Sequence, residues 1–246
     1  MDTCKSCNEP VSGNYCQHCG SAVCLEKIDK KYFSSEIRDL IGAESNTISS
    51  FIKLLYSPGV CTLEFINQDR SKYVRPIVYL IFTSMIYTIV YNIFGSGADV
   101  IDTSEYSTFD YVTDYLVDLI FIQNAGYSNL IINLILAFFL KRVFKKYGFN
   151  IYEILVLLCF ISGTGNLVFS VFKIISYFLP ADMAAILDGR VNMLIGAYTI
   201  WGVGSFFDKK KAGSYIKVIV SYILVFIFLF LILLAAVILL TAALES

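Results

Sequence analysis

VIVSYILVFIFLFLILLAAVILLTAAL, residues 218–244, lies between Lys217 and Glu245 and carries no charged side chain. Twenty-seven residues at 1.5 Å each make a straight helix of about 40 Å, longer than a hydrocarbon core of roughly 30 Å, so this helix tilts or projects beyond the bilayer. Four weaker stretches precede it. Residues 76–98 lie between Arg75 and Asp99, and residues 119–140 lie between Asp118 and Lys141, with Asn124-Ala125-Gly126 shortening the helical part. Residues 154–172 run from Glu153 to Lys173, and the short stretch 191–207 runs from Arg190 to Asp208. Composition agrees with a membrane protein: 57% hydrophobic and 16% charged, against roughly 45–50% and about 25% in soluble domains. This excludes an ordinary soluble globular chain. A net charge of −1 supplies no global field for nucleic acid, so no specific nucleic-acid partner is expected. Met1 to Asn14 is polar and cysteine-bearing, unlike a cleavable leader, and is expected to stay on the mature protein.

Lysine and arginine orient the spans. Nine precede the first stretch, four lie between the second and third (Lys141, Arg142, Lys145, Lys146), and four between the fourth and fifth (Lys209, Lys210, Lys211, Lys217). That is 17 of 19 on one side, whereas residues 99–118 carry six acids and no base. The expectation is a membrane protein with five crossings, a cytoplasmic N-terminus and its C-terminus outside. The acidic loop is expected to be the ordinary outcome of this asymmetry.

Cys4-Lys-Ser-Cys7 and Cys16-Gln-His-Cys19 are two C-x-x-C knuckles. Paired knuckles of this spacing supply a closed tetrahedral thiolate shell, and Gly13 and Gly20 give the turn freedom they need. The reading is a structural zinc ribbon over residues 1–26. Disulfides are the alternative, disfavoured in a reducing cytoplasm; His18 replacing one cysteine ligand is another. Cys24, Cys61 and Cys159 have no partner at ligand spacing.

Residues 27–75 are expected to form amphipathic juxtamembrane helices. Ile28, Tyr32, Phe33, Ile37, Leu40 and Ile41 recur at helical spacing over 28–44, a second helix covers 47–56, and a third covers 60–67, with Ser57 as N-cap and Pro58 at the first helical position. These helices are too short to span; they lie in the interface or pack beneath the bundle. Arg70, Lys72 and Arg75 are candidate contacts for anionic lipid headgroups, against the plainer reading of positive-inside charge.

Ser12-Gly13-Asn14-Tyr15-Cys16, followed by Pro58-Gly59, Arg70, Tyr73 and Pro76, resembles an uncharacterised bacterial family of zinc-ribbon multi-pass membrane proteins, distantly similar to Yip-type membrane proteins. The likeness is clearest over residues 4–94. It implies a helical membrane fold without an assigned activity. Ser21 stands where the family often has glutamine, and Ile154 where histidine is expected after Glu153.

No ionisable residue lies near a span centre. Glu153 and Lys173, 20 residues apart, differ by about 30 Å in height and about 200° in azimuth on one helix, so each belongs at an interface rather than to a pair. Asn129 and Asn133 share a face of the second span, while Ser162-Gly163-Thr164-Gly165-Asn166 is expected to interrupt the third. Asn129, Asn133, Thr164 and Asn166 form the candidate intramembrane polar site, weighed against simple helix packing, the reading also given to Gly196, Gly202 and Gly204. With the one histidine in the ribbon and no catalytic set in the spans, an enzyme is not expected.

The expected fold class is an all-α polytopic membrane protein: five transmembrane helices within residues 76–246, a small N-terminal zinc ribbon and juxtamembrane amphipathic helices. The expected role is an adaptor or sensor whose ribbon docks a cytoplasmic protein partner and whose bundle, besides contacting membrane lipid, self-associates as a homo-oligomer. The alternative is a channel or small-solute transporter, in one version a homo-oligomeric pore.

Overall fold

Helix-breaking residues and charge set the element ends in a computed structural model of the chain, which describes residues 2–4, 7, 9–11, 13, 15–20, 47–95, 108–117 and 125–244. The amphipathic segment 28–44, Cys24 and half of the acidic loop, residues 99–107 and 118, lie outside the described residues. At the N-terminus, strands β1 (Asp2–Thr3) and β2 (Pro10–Val11) pair antiparallel. Helices α1 (Thr47–Tyr56) and α2 (Pro58–Asn67) match the second and third juxtamembrane helices, and Pro58 occupies the first turn of α2 as its missing N–H allows. Then come α3 (Pro76–Phe94), the short α4 (Thr108–Val117), α5 (Ala125–Val143), α6 (Ile151–Tyr177), α7 (Ala181–Asp208) and α8 (Ala212–Leu244).

Among the described residues, three helices are long and apolar enough to cross a membrane: Arg70–Phe94, Ile151–Tyr177 and Ala212–Ala242. Of the five spans expected, those at 119–140 and 191–207 do not reach this standard. The described part of α5 begins at Ala125 and turns basic at Lys141 and Arg142. The helix α7 is long, but Asp182, Asp188 and Arg190 occupy its first three turns, leaving the 17 residues 191–207 as its apolar part, short of the roughly 20 a crossing needs.

Helix α6 is the hub of the bundle, in contact with α1, α2, α3, α5 and α7. Residues 154–161 are buried on every face, which is why this stretch reads as uniformly apolar instead of amphipathic. Phe160 gathers Phe65, Tyr73 and Tyr79 around it at centroid distances of 5.5, 6.3 and 6.1 Å. Two of these rings precede α3, so α1, α2 and the turn at Arg70–Lys72 share the core of α6. Of the two placements open to the juxtamembrane helices, the structure shows packing against the bundle for α1 and α2. The Tyr198 hydroxyl donates to the Leu54 carbonyl at 2.7 Å, and the Val74 N–H donates to Ser50 Oγ at 3.0 Å.

The expected interruption at 162–166 is absent: α6 runs unbroken from Ile151 to Tyr177. Gly163 faces the Tyr79 ring and Gly165 faces Ile195, so both glycines are notches for neighbouring helices and not breaks. Lys173 does not sit alone at an interface either. Because α7 starts ten residues ahead of its apolar stretch, Asp188 reaches Lys173 Nζ at 2.7 Å. Glu153 closes a capping box at the start of α6: its carboxylate accepts from the Asn150 N–H at 2.8 Å, and its N–H donates to Asn150 Oδ1 at 2.9 Å.

Candidate metal centre and membrane polar seam

The N-terminal strands are two residues each, too small to bury a core, and among their described neighbours Cys4 and Cys16 are buried. Sulfur therefore supplies what apolar packing does not. The backbone N–H of Cys4 donates to the Glu9 carbonyl at 2.8 Å, closing the first knuckle, and the N–H of Gly20 donates to Cys16 O at 2.8 Å, closing the second. Gly20 has φ of 73°, a left-handed conformation that glycine adopts without strain.

The four Sγ atoms of Cys4, Cys7, Cys16 and Cys19 lie within 4.8 Å of one another. Cys4 and Cys19 are 3.5 Å apart and Cys7 and Cys16 3.6 Å apart, close to the roughly 3.8 Å edge of a tetrahedron with metal–sulfur bonds of about 2.3 Å. His18 is exposed and outside this group. At Cys7 the Glu9 backbone hydrogen bond lowers the thiol pKa, but partial burial and hydrogen bonds from Cys19, Cys16 and Cys4 outweigh it and push the thiol up to about 12. Four sulfurs this close ionise together only around a cation, so the cluster can hold a metal ion. By contrast, Cys61 and Cys159 are buried thiols within the bundle; burial pushes Cys61 up, as befits a packing residue.

The membrane polar residues form a seam along α6, not a broken helix. Thr164 Oγ1 donates to Phe160 O at 2.8 Å and lies 3.1 Å from the Tyr79 hydroxyl; Asn166 Nδ2 donates to Ser84 Oγ at 3.0 Å. Ser162 Oγ donates to Asn133 Oδ1 at 3.1 Å, linking α5 to the same seam. Asn133, Thr164 and Asn166 are thus brought onto one packed set of helices. Asn129 is half-buried one turn away, with no hydrogen bond among the described residues. Ser162 belongs to the run already quoted at 162–166, whereas Tyr79 and Ser84 escape sequence reasoning because their partners, Thr164 and Asn166, are more than 80 residues away.

One atom in the seam stands out. Asn133 is 4% exposed and its Nδ2 has no hydrogen-bond partner among the described residues. An orphaned amide in an apolar bundle costs stability. Asn133→Leu is therefore expected to leave the unfolding free energy unchanged or raise it by about 1 kcal/mol, with Ser162 turning to its own helix. Unfolding in mixed micelles tests this; a loss above about 2 kcal/mol would mean that a bound group satisfies the amide.

The basic residues proposed for headgroups are drawn toward the chain itself. Lys72 Nζ is 3.8 Å from Asp69 Oδ2, the Arg70 guanidinium lies 5.9 Å from the centre of the Phe65 ring, and Arg75 is half-buried at the N-cap of α3.

No curated protein matches the chain, and no solved structure matches it. A sequence-family model described as a protein of unknown function (DUF3667) matches residues 44–88, the stretch that forms α1, α2, the turn at Arg70–Lys72 and the first two-thirds of α3.

Proposed function

We propose that this chain is a membrane-anchored adaptor or sensor, in which a zinc-held ribbon recruits a cytoplasmic protein and the helical bundle fixes it to a bacterial inner membrane. The observation that carries the reading is the closed set of four sulfurs within 4.8 Å. Four thiolates leave the ion no open coordination position, so its contribution is to shape a small surface, not to catalyse; zinc is the metal this ligand set suits best. In this reading α5 and α7 complete five crossings, with the help of neighbouring helices that cover their polar residues. The start of α3, the end of α5 and the turn between α7 and α8 all carry basic residues, which supports a cytoplasmic N-terminus and an outer C-terminus.

The test is crosslinking with mass spectrometry on protein taken gently from its native membrane, intact ribbon against Cys16→Ser. A specific protein crosslinked through residues 1–26 and lost in the variant is the expected result. Identical crosslinks in both would refute recruitment by the ribbon.

A second reading, a small-solute path or homo-oligomeric pore, draws on the Asn133 amide, whose Nδ2 has no partner among the described residues. It requires that apolar replacement of Asn129, Asn133, Thr164 and Asn166 together abolish flux in liposomes. In the adaptor these replacements spare partner binding.

A further inference from the structure

The end of the bundle where α5, α7 and α8 meet holds more positive charge than its surroundings balance. Lys141 and Arg142 lie in the last turn of α5, and Lys145 and Lys146 in the turn after it. Lys209, Lys210 and Lys211 lie between α7 and α8, and Lys217 lies near the start of α8. These two segments are far apart in sequence, and aromatic packing joins them. Phe144 stacks on Phe207 with centroids 4.0 Å apart, Tyr147 sits 5.8 Å from Phe207, and the Tyr147 hydroxyl donates to Asp208 Oδ2 at 3.2 Å.

All eight cationic side chains are exposed. The acids adjoining them in sequence are already engaged. Asp208 pairs with Lys211 at 3.1 Å, a bond that holds its carboxyl below its usual range, and Glu153 is committed to the cap of α6. Among the described residues, no carboxylate pairs with Lys141, Arg142, Lys145, Lys146, Lys209, Lys210 or Lys217.

Depth decides what this charge meets. Exposed Ile216, Ile219 and Val220 flank Lys217 on α8, and exposed Phe138 lies one turn from Arg142, whose guanidinium is 5.4 Å from the ring centre. The cations therefore edge directly onto apolar, lipid-facing surface, where long basic side chains reach back to the headgroup layer. A soluble polyanion would meet a patch rimmed by hydrocarbon-facing residues; a phospholipid matches both halves.

We propose that the surface built from the turn after α5 and the turn between α7 and α8 is a binding site for anionic phospholipid, its phosphate taken by Lys145, Lys146, Lys209 and Lys210. This site, and not Arg70, Lys72 and Arg75, is the chain's principal headgroup contact. Clusters of four to eight basic residues beside membrane helices have this chemistry, and the site stands whether or not the ribbon recruits a protein.

The experiment is native mass spectrometry of the full chain in a neutral detergent, with phosphatidylglycerol and phosphatidylcholine supplied in equal amounts. The expected result is a preference of about tenfold for phosphatidylglycerol, shrinking as salt rises toward about 0.5 M. The K145Q/K146Q/K209Q/K210Q variant is expected to bind the two lipids equally, while R70Q/K72Q keeps the preference. If the quadruple variant does not fold, K145Q/K146Q and K209Q/K210Q separately are each expected to lower the preference by about threefold. Equal binding of both lipids by the parent chain overturns the proposal, as does a preference that survives the four substitutions. Displacement of the lipid by inorganic phosphate at the same concentration, or by a single-stranded oligonucleotide, overturns it in favour of a soluble anion.

Discussion

Cys4→Ser, or removal of metal by a chelator, opens residues 2–20 to protease while α1 through α8 keep their fold. The ribbon has two strands of two residues, and its buried side chains among the described residues are Cys4 and Cys16, so a metal held by the four sulfurs would supply nearly its whole stability. Binding to such sites is worth on the order of 10 kcal/mol, far more than two short strands supply. The juxtamembrane helices respond differently. Leu54, Phe65 and Tyr73 are buried against the bundle and do not draw on the ribbon. Limited proteolysis with hydrogen exchange separates the two parts: exchange in 2–20 should rise to that of an unfolded chain, with 47–95 unchanged. Protease resistance of the ribbon without metal would refute a metal-held fold.

Gly59→Ala separates α2 from α7, at a cost of about 3 kcal/mol. A methyl group at residue 59 would meet Ser205 Oγ and come within 2.7 Å of the Phe206 backbone nitrogen. Backbone cannot swing aside as a side chain can, so the helices must part. Across the same contact a methyl at Gly202 would meet Pro58 and Ile161, each at 2.9 Å. Gly196→Ala provides the comparison, because nothing lies within 4 Å of the added carbon. There the gain in helix propensity is expected to stabilise by up to about 1 kcal/mol. Unfolding in mixed micelles reads both, and equal effects of the two substitutions would sink the argument.

These glycines also show which information a sequence carries. Gly196, Gly202 and Gly204 look alike in the chain and invited one reading, yet Gly202 and Gly204 are pressed against Pro58 and Tyr215 while Gly196 faces open space. What a glycine does is set by its spatial neighbour, for Gly202 a proline 144 positions away in sequence. The cysteine knuckles are the opposite case: ligand spacing is local, and the four sulfurs meet as that spacing implies. Apolar runs located α3, α6 and α8 for the same reason, since crossing a bilayer is a requirement on consecutive residues. They missed residues 181–190 of α7, where Asp182, Asp188 and Arg190 hide a helix from hydropathy, and with it the partner of Lys173. The notches at Gly163 and Gly165 passed for a break because Tyr79 and Ile195 come from other helices.

The hydrogen bond from Tyr198 to Leu54 joins residues separated by 144 positions. A ribosome adding about 5–20 residues each second takes roughly 7–30 s to cover that distance. For that interval α1 and α2 exist without α7, and the apolar faces of Leu54 and Phe65 lack part of their covering. The newborn chain must therefore shelter these two helices, on the membrane surface or on a chaperone, until its own later half arrives to receive them.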